Sequence, residues 1–167
     1  MRVYMTNGTL SFLIKLVKKH PNIQFYFMRN EQGVLVYYEG TKKKVFSAGR
    51  TFQTLEQAGT IKQRGYVVTE HIPIQGDSKA LFEKQLPSLV KDLSQAPGII
   101  ALRVLKQGWR NHYVIFTQWE NKSDYETWEE QRKQLEVKKP VYFLNRQFKT
   151  EYFLIDEEEL DELRKNI

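Results

Sequence analysis

Tyr113-Val114-Ile115-Phe116-Thr117-Gln118-Trp119-Glu120, followed closely by Ser123-Asp124-Tyr125-Glu126-Thr127-Trp128, is the stretch on which the reading of this chain turns. From His112 to Trp119 it is rich in β-branched and aromatic residues, which predicts a strand. Ser123 then stands three residues before Glu126, the spacing of a capping box. A helix opened there and running to about Leu135 places Tyr125 and Trp128 on one face, as packing onto a sheet requires. A strand followed by such a helix is half of a two-layer unit. The flanking sequence supplies the rest.

Upstream, Gly65 to Ile74 alternates and is β-branched, so it reads as a strand. Gly76-Asp77-Ser78 opens a helix with apolar positions Leu81, Phe82, Leu86, Leu89, Val90 and Leu93, and Pro87 within it predicts a kink or break. Pro97-Gly98 turns the chain into a strand from Ile99 to Leu105, and Gly108 marks the next turn. Downstream, beyond a loop with Pro140, Tyr142 to Leu144 and Phe148 to Leu154 read as extended. Asp156 to Asn166 reads as a last helix, acidic at its start and basic at its end, as the helix dipole favours. The resulting order, β-α-β-β-α-β, is the ferredoxin-like plan of an α+β protein.

The N-terminal third echoes it in part. Arg2 to Met5 is strand-like, and Thr9 or Ser11 can cap a helix carrying Leu10, Leu13, Ile14, Leu16 and Val17, which Pro21 ends. Ile23 to Met28, Val34 to Tyr38 and Val45-Phe46 read as strands, and about Thr51 to Ala58 as a short helix. We therefore expect a smaller α+β unit over residues 1–61 and a ferredoxin-like domain with a C-terminal acidic helix over 62–167. Stacking the two apolar sheet faces removes them from water, either within one chain as a pseudo-dimer or between two chains.

Composition narrows the function. The 167 residues are 41% hydrophobic and 28% charged, which disfavours disorder, and the absence of cysteine excludes disulfides, thiolate metal sites and cysteine nucleophiles. No apolar run approaches the ~18–20 residues of a membrane span. Met1 to Thr9 is too polar for a secretory leader, so a soluble cytoplasmic protein is expected. Residues 1–60 hold nine Lys/Arg against three Asp/Glu, residues 61–150 fifteen against ten, and residues 151–167 two against seven. A basic body with an acidic tail attracts anions of many kinds. Lys42-Lys43-Lys44 reads as a solvated hairpin, and with no RNP-like or zinc-finger pattern nucleic acid is not an expected partner.

The stretch quoted at the outset resembles the antibiotic-biosynthesis-monooxygenase (ABM) superfamily, and within it the IsdG-type haem-degrading monooxygenases, over roughly residues 62–154. Their apolar strand ends in T-x-W-E or T-x-W-K, here Thr117 to Glu120, and the second aromatic of the following helix is Trp, here Trp128. The Pro97-Gly98 turn is similar as well. Val3-Tyr4-Met5-Thr6-Asn7-Gly8-Thr9 resembles the opening of the HmoB-like two-unit subgroup. The resemblance implies a dimeric α+β barrel type of fold. It also implies haem as substrate and cofactor, an external reductant as electron donor, O2, and release of iron.

IsdG-type enzymes use a strand Asn, a helix Trp and an iron-ligating His ten residues after that Trp. Carried over, the Trp falls on Trp128, which is implied to contact the porphyrin. The Asn falls on Glu70 and the His on Lys138. A protonated lysine has no lone pair to offer iron. Lys138 and Lys139 suit the propionates instead, and the iron ligand stays open. His20 lies at a helix end beside Pro21. His71 points away from Glu70 by strand alternation and ligates only in another register, and His112 begins a strand after a turn. Tyr66, Tyr113, Tyr125 and Tyr142 remain alternatives, since phenolate is a known haem ligand.

Glu70 either faces the apolar row Val68, Ile72 and Ile74, where it could donate a hydrogen bond or relay a proton, or lies solvated on an exposed strand edge. Trp128 can serve core and site together. Two further readings stand beside haem degradation. One is a non-enzymatic sensor or stress protein of the TRAP family type on the same scaffold. The other is a cofactor-independent ABM oxygenase with Glu70 as base.

Overall fold

Apolar residues on successive positions leave the central strands with both faces buried, as along Tyr66, Val67 and Val68. An antiparallel sheet of that kind must be covered on both sides, and here one side is covered by the sheet itself. The computed structural model describes residues 1–40, 44–108, 112–135 and 148–166. They form β1 (Arg2–Gly8), α1 (Leu10–Lys18), β2 (Tyr26–Asn30), β3 (Gly33–Gly40), β4 (Arg50–Gly59), β5 (Tyr66–Pro73), α2 (Ser78–Ser94), β6 (Ile99–Lys106), β7 (His112–Trp119), α3 (Lys122–Leu135), β8 (Phe148–Leu154) and α4 (Glu157–Lys165). The strands close a barrel in the order β1-β3-β2-β8-β5-β7-β6-β4.

Within that ring each half has the same plan. The first runs β4-β1-β3-β2 and the second β8-β5-β7-β6, so both are ordered fourth-first-third-second, the ferredoxin-like arrangement. The second strand of each half joins the fourth of the other, β2 with β8 and β6 with β4. A single chain thus forms an α+β barrel of the dimeric type, with two pseudo-equivalent units.

Three apolar layers follow. All eight strands contribute to the interior, with Met5, Met28, Tyr37, Phe116 and Tyr152 among its members. Outside the second half, α2 and α3 bury Phe82, Leu86, Leu93, Tyr125 and Trp128 against Val68, Ile72 and Ile115. Outside the first half, Leu13 and Ile14 of α1 and Leu160 of α4 pack on Tyr4, Phe27 and Val36. The acidic α4 follows the second unit in sequence but covers the first. It is held there by Arg29–Glu159 and by Lys18, whose Nζ donates to the Arg164 carbonyl at 3.2 Å.

Several expectations are corrected. Residues 51–58 lie in strand β4 rather than a helix. Phe52, Leu55 and Ala58 recur at helical spacing, but a bulge between Thr54 and Glu56 resets the strand alternation. Phe52 then faces the interior while Leu55 and Ala58 face the outer layer. Val45-Phe46 is no strand: the Val45 N–H donates to the Tyr38 hydroxyl at 2.9 Å and Phe46 packs into the outer layer. Helix α2 runs unbroken through Pro87, because Phe82, Leu86, Leu89 and Leu93 fasten it to the sheet on both sides of the missing N–H. Helix α3 starts at Lys122. The Asn121 carboxamide oxygen, and not Ser123, accepts the Asp124 N–H at 3.0 Å. Pro140, Tyr142 to Leu144 and most of the Lys42–Lys44 run lie outside the described residues.

Candidate functional site

Strand β5 is flanked by β7 on one side and β8 on the other, so Glu70 is not on an edge. Alternation sends Tyr66, Val68, Glu70 and Ile72 toward α3, and the Glu70 residue retains 2% exposure. Placing a carboxyl there without partners would cost several kcal/mol, about 2–7 for a polar group. Helix α3 supplies the partners.

On α3, Tyr125, Trp128, Glu129 and Arg132 lie at i, i+3, i+4 and i+7, a single face turned to the sheet. The Tyr125 hydroxyl sits 3.2 Å from Glu70 Oε1 and donates to Glu129 Oε2, and Glu129 is buried as well. One O–H proton serves one acceptor at a time. Both contacts are hydrogen bonds when one carboxyl carries a proton and donates back to the phenol oxygen. Two carboxyls from different elements therefore converge on one phenol.

An aromatic wall surrounds this cluster. Ring centroids of Trp119 and Tyr125 are 5.6 Å apart, and those of Trp119 and Trp128 are 5.9 Å apart. The Trp119 Nε1 donates to Thr117 Oγ1 at 2.8 Å, so that indole is satisfied. Trp128 Nε1 is buried and has no hydrogen-bond partner among the described residues. Cations border the wall, with Lys149 Nζ 5.0 Å from the Tyr125 ring and the Arg132 guanidinium 5.5 Å from the Trp128 ring. Arg132 is paired in turn with Asp92 of α2.

The remaining sequence candidates fall as follows. His71 lies on the opposite face of β5, toward the barrel interior, with its ring stacked on Phe148 at 4.3 Å. His112 is beside it there, and His20 closes α1 in the other half. The Tyr66 hydroxyl donates to Glu151 at 2.6 Å and that of Tyr113 to Glu83 at 2.9 Å. Burial first and those carboxylates second push both phenols upward, away from the phenolate form iron would need. Lys138, Lys139 and Tyr142 lie outside the described residues. Glu129 went unread in the sequence. Its signal was an acidic residue four positions after Tyr125 and adjacent to Trp128, on the helix face that carries both aromatics.

Comparison with known proteins agrees with the fold. Residues 65–139 match the antibiotic biosynthesis monooxygenase family, the part of the chain that carries β5 to α3. A haem-degrading monooxygenase of Listeria monocytogenes serovar 1/2a is 25% identical over 127 residues, 76% of either chain. Two solved structures share the two-unit fold over 93% of this chain and all of theirs. The haem-degrading enzyme LmHde from Listeria monocytogenes has a TM-score of 0.74 at 19% identity. A major regulator of staphylococcal pathogenesis has a TM-score of 0.81 at 16% identity.

Proposed function

We propose that this chain, with its antibiotic-biosynthesis-monooxygenase-type second unit, binds haem between the β5–β8 sheet and α3 and cleaves it oxidatively to release iron. The observation that carries the reading is Trp128: a buried indole whose N–H lacks a partner among the described residues, next to the buried Glu70–Tyr125–Glu129 cluster. The 25% identical haem-degrading monooxygenase supports the same reaction class.

Trp119, Tyr125 and Trp128 are buried against one another and the sheet, so a macrocycle entering here requires α3 to move outward. Trp128, Tyr125 and Trp119 form a wall for a flat conjugated ring, and Lys149 and Arg132 border it with positive charge. Lys138 and Lys139 are assigned to the propionates. Haem, reduced by an external donor, would supply the oxygen chemistry with O2. This chain's own residues then divide the work. Trp128 orients the ring, Glu70 Oε1 holds or passes a proton through Tyr125, and the packed α3 face excludes water. On this reading the chain works in the cytoplasm, and its closed barrel makes a second copy unnecessary. Among the described residues no helix is long and apolar enough to cross a membrane.

One observation favours a non-enzymatic protein on the same scaffold. Among the described residues no histidine faces α3, since His71 and His112 turn into the barrel. Titrating the purified protein with haemin, then adding ascorbate in air, separates the two. A saturable one-to-one Soret shift followed by bleaching, with iron becoming chelatable, supports degradation. Tight binding that never bleaches supports a haem sensor, and no specific binding removes haem from both readings. Glu70→Gln should bind haemin yet bleach it at least tenfold more slowly, if its proton is used.

A further inference from the structure

At one end of the barrel the strand termini turn polar side chains inward that the proposed chemistry leaves unused. The register brings together the end of β1, the start of β4, the end of β5 and the start of β7, with Met5 opposite Arg50 and Pro73 opposite His112. His71 Nδ1 and His112 Nε2 are 3.2 Å apart, and Thr69 Oγ1 is 3.4 Å from His71 Nε2. Phe148, half exposed, closes over the His71 ring.

Arg50 reaches into the same mouth. Its Nη2 donates to Asn7 Oδ1 at 3.0 Å, and among the described residues no carboxylate pairs with it. Its charge acts on His71 and on Tyr152, and besides burial the groups that act on His71 are His112 and Arg50. The titratable groups facing this mouth among the described residues are thus Arg50 from β4, His71 from β5, His112 from β7 and Tyr152 from β8. A guanidinium beside two imidazoles repels a metal cation. It suits an anion, which Arg50 can grip with several N–H groups and which a protonated imidazole can bind through either ring nitrogen.

We propose that this barrel mouth binds a small oxyanion, a carboxylate or a phosphate group, through Arg50 and the His71–His112 pair. Both halves of the chain contribute, Arg50 and Asn7 from the first and the two histidines from the second, so the site exists only in the closed barrel. An open recess of about 980 Å³, lined by Arg29, Lys122 and Lys149 but also by Glu31 and Glu151, shares Phe148 with the mouth. Binding is linked to proton uptake. In the anion-free mouth burial, then His112 and Arg50, pull His71 down to about 4, so it is neutral at pH 7. A bound anion reverses the local potential and lets the pair take up a proton. The site is independent of the haem reading, which concerns the other face of β5.

Sodium acetate and, separately, sodium phosphate should be titrated into the full chain at constant ionic strength. Histidine and arginine side-chain resonances report the binding, at about pH 6 and again at about pH 7.5. The expected result is a saturable shift of His71 and His112 with at least one anion, tighter at the lower pH. Acetate or phosphate responding alone identifies which oxyanion the mouth takes. Arg50→Gln should weaken binding about tenfold or more, the loss of a charge-assisted hydrogen bond. His112→Asn keeps a polar side chain and should flatten the pH dependence with an unchanged circular dichroism spectrum. Shifts that never saturate, or undiminished affinity in a folded Arg50→Gln protein, would overturn the assignment.

Discussion

Glu39 and Arg103 meet inside the barrel, with Arg103 Nε 2.6 Å from Glu39 Oε2 and side-chain exposures of 19% and 5%. Glu39 belongs to the first half and Arg103 to the second, so the pair ties the two units from within. The Tyr37 hydroxyl also donates to Glu39, and Arg103 Nη1 donates to the carbonyls of Ala58 and Leu102. Removing one partner leaves the other charge largely out of water. Glu39→Ala or Arg103→Ala should therefore cost about 3–5 kcal/mol in urea unfolding. The double variant Glu39→Leu/Arg103→Met should lose less than the sum of the single losses. Strictly additive losses would mean that the contact couples nothing.

Tyr125→Phe removes a hydroxyl that two buried carboxyls share. Expected destabilisation is about 1–3 kcal/mol, the ordinary worth of two buried hydrogen bonds. Glu129→Gln keeps a carbonyl oxygen able to accept the phenol proton, so it should cost clearly less. Denaturant midpoints of the two variants decide the matter, and equal losses would count against a shared phenol.

The second unit was legible because its elements carry local signals. Turn dipeptides, period-two strands and a helix stripe from Tyr125 to Trp128 all agree with the global fold. Residues 51–58 were not legible, because a strand with a bulge places Phe52, Leu55 and Ala58 where a helix would also place them. Strand pairing with β1 and β6, nonlocal in sequence, decides between the two. The capping box from Ser123 lost to Asn121 by two residues, a competition between two good caps that spacing alone does not resolve. Of the candidate site, the burial of Glu70 was one of two open readings, while Trp128 on the helix stripe and the opposite facing of His71 followed from spacing. Glu129 matters only through a phenol that the fold brings to Glu70, and the barrel mouth joins Arg50 to His71 across the two halves.

His71 gives a pH dependence with a definite sign. Burial, then His112 and Arg50, lower it from an ordinary value near 6.5 to about 4. The folded state therefore binds fewer protons than the unfolded state between those values. Its contribution to stability is present above about pH 6.5 and is lost as pH falls toward 4. In a buffer free of small carboxylates and phosphate, stability should decline over that window. His71→Asn should show a shallower decline, measured as denaturant midpoint against pH. An identical slope in the variant would place the proton uptake elsewhere.

Gly98 connects the turn before β6 to the start of α3. Its φ is +86°, and a Cβ there would stand 2.2 Å from Asp124 Oδ2. Its carbonyl also accepts the Glu120 N–H at 2.8 Å, so the backbone cannot simply withdraw. Gly98→Ala should cost about 1–3 kcal/mol from conformation alone. Adding Asp124→Ala removes the carboxyl but leaves a Cβ 2.6 Å away as well as the positive φ, so thermal unfolding of the double variant should recover only part of the loss.

Trp128 is the residue at which packing and chemistry can be separated. Its ring touches the Trp119 and Tyr125 rings and lies under Arg132, contacts a phenyl ring largely keeps. Its indole N–H has no partner among the described residues, so losing it breaks no hydrogen bond there. A purely structural Trp128 predicts that Trp128→Phe lowers stability by about 1–2 kcal/mol, the cost of a partly filled cavity, and changes nothing else. A Trp128 that orients haem predicts the same modest loss together with at least a tenfold drop in the rate of Soret bleaching. Melting temperature and bleaching rate, measured on one preparation, are expected to part in this way. If haemin binding and bleaching match the parent protein while stability falls, Trp128 is a core residue and the proposed site loses its orienting wall.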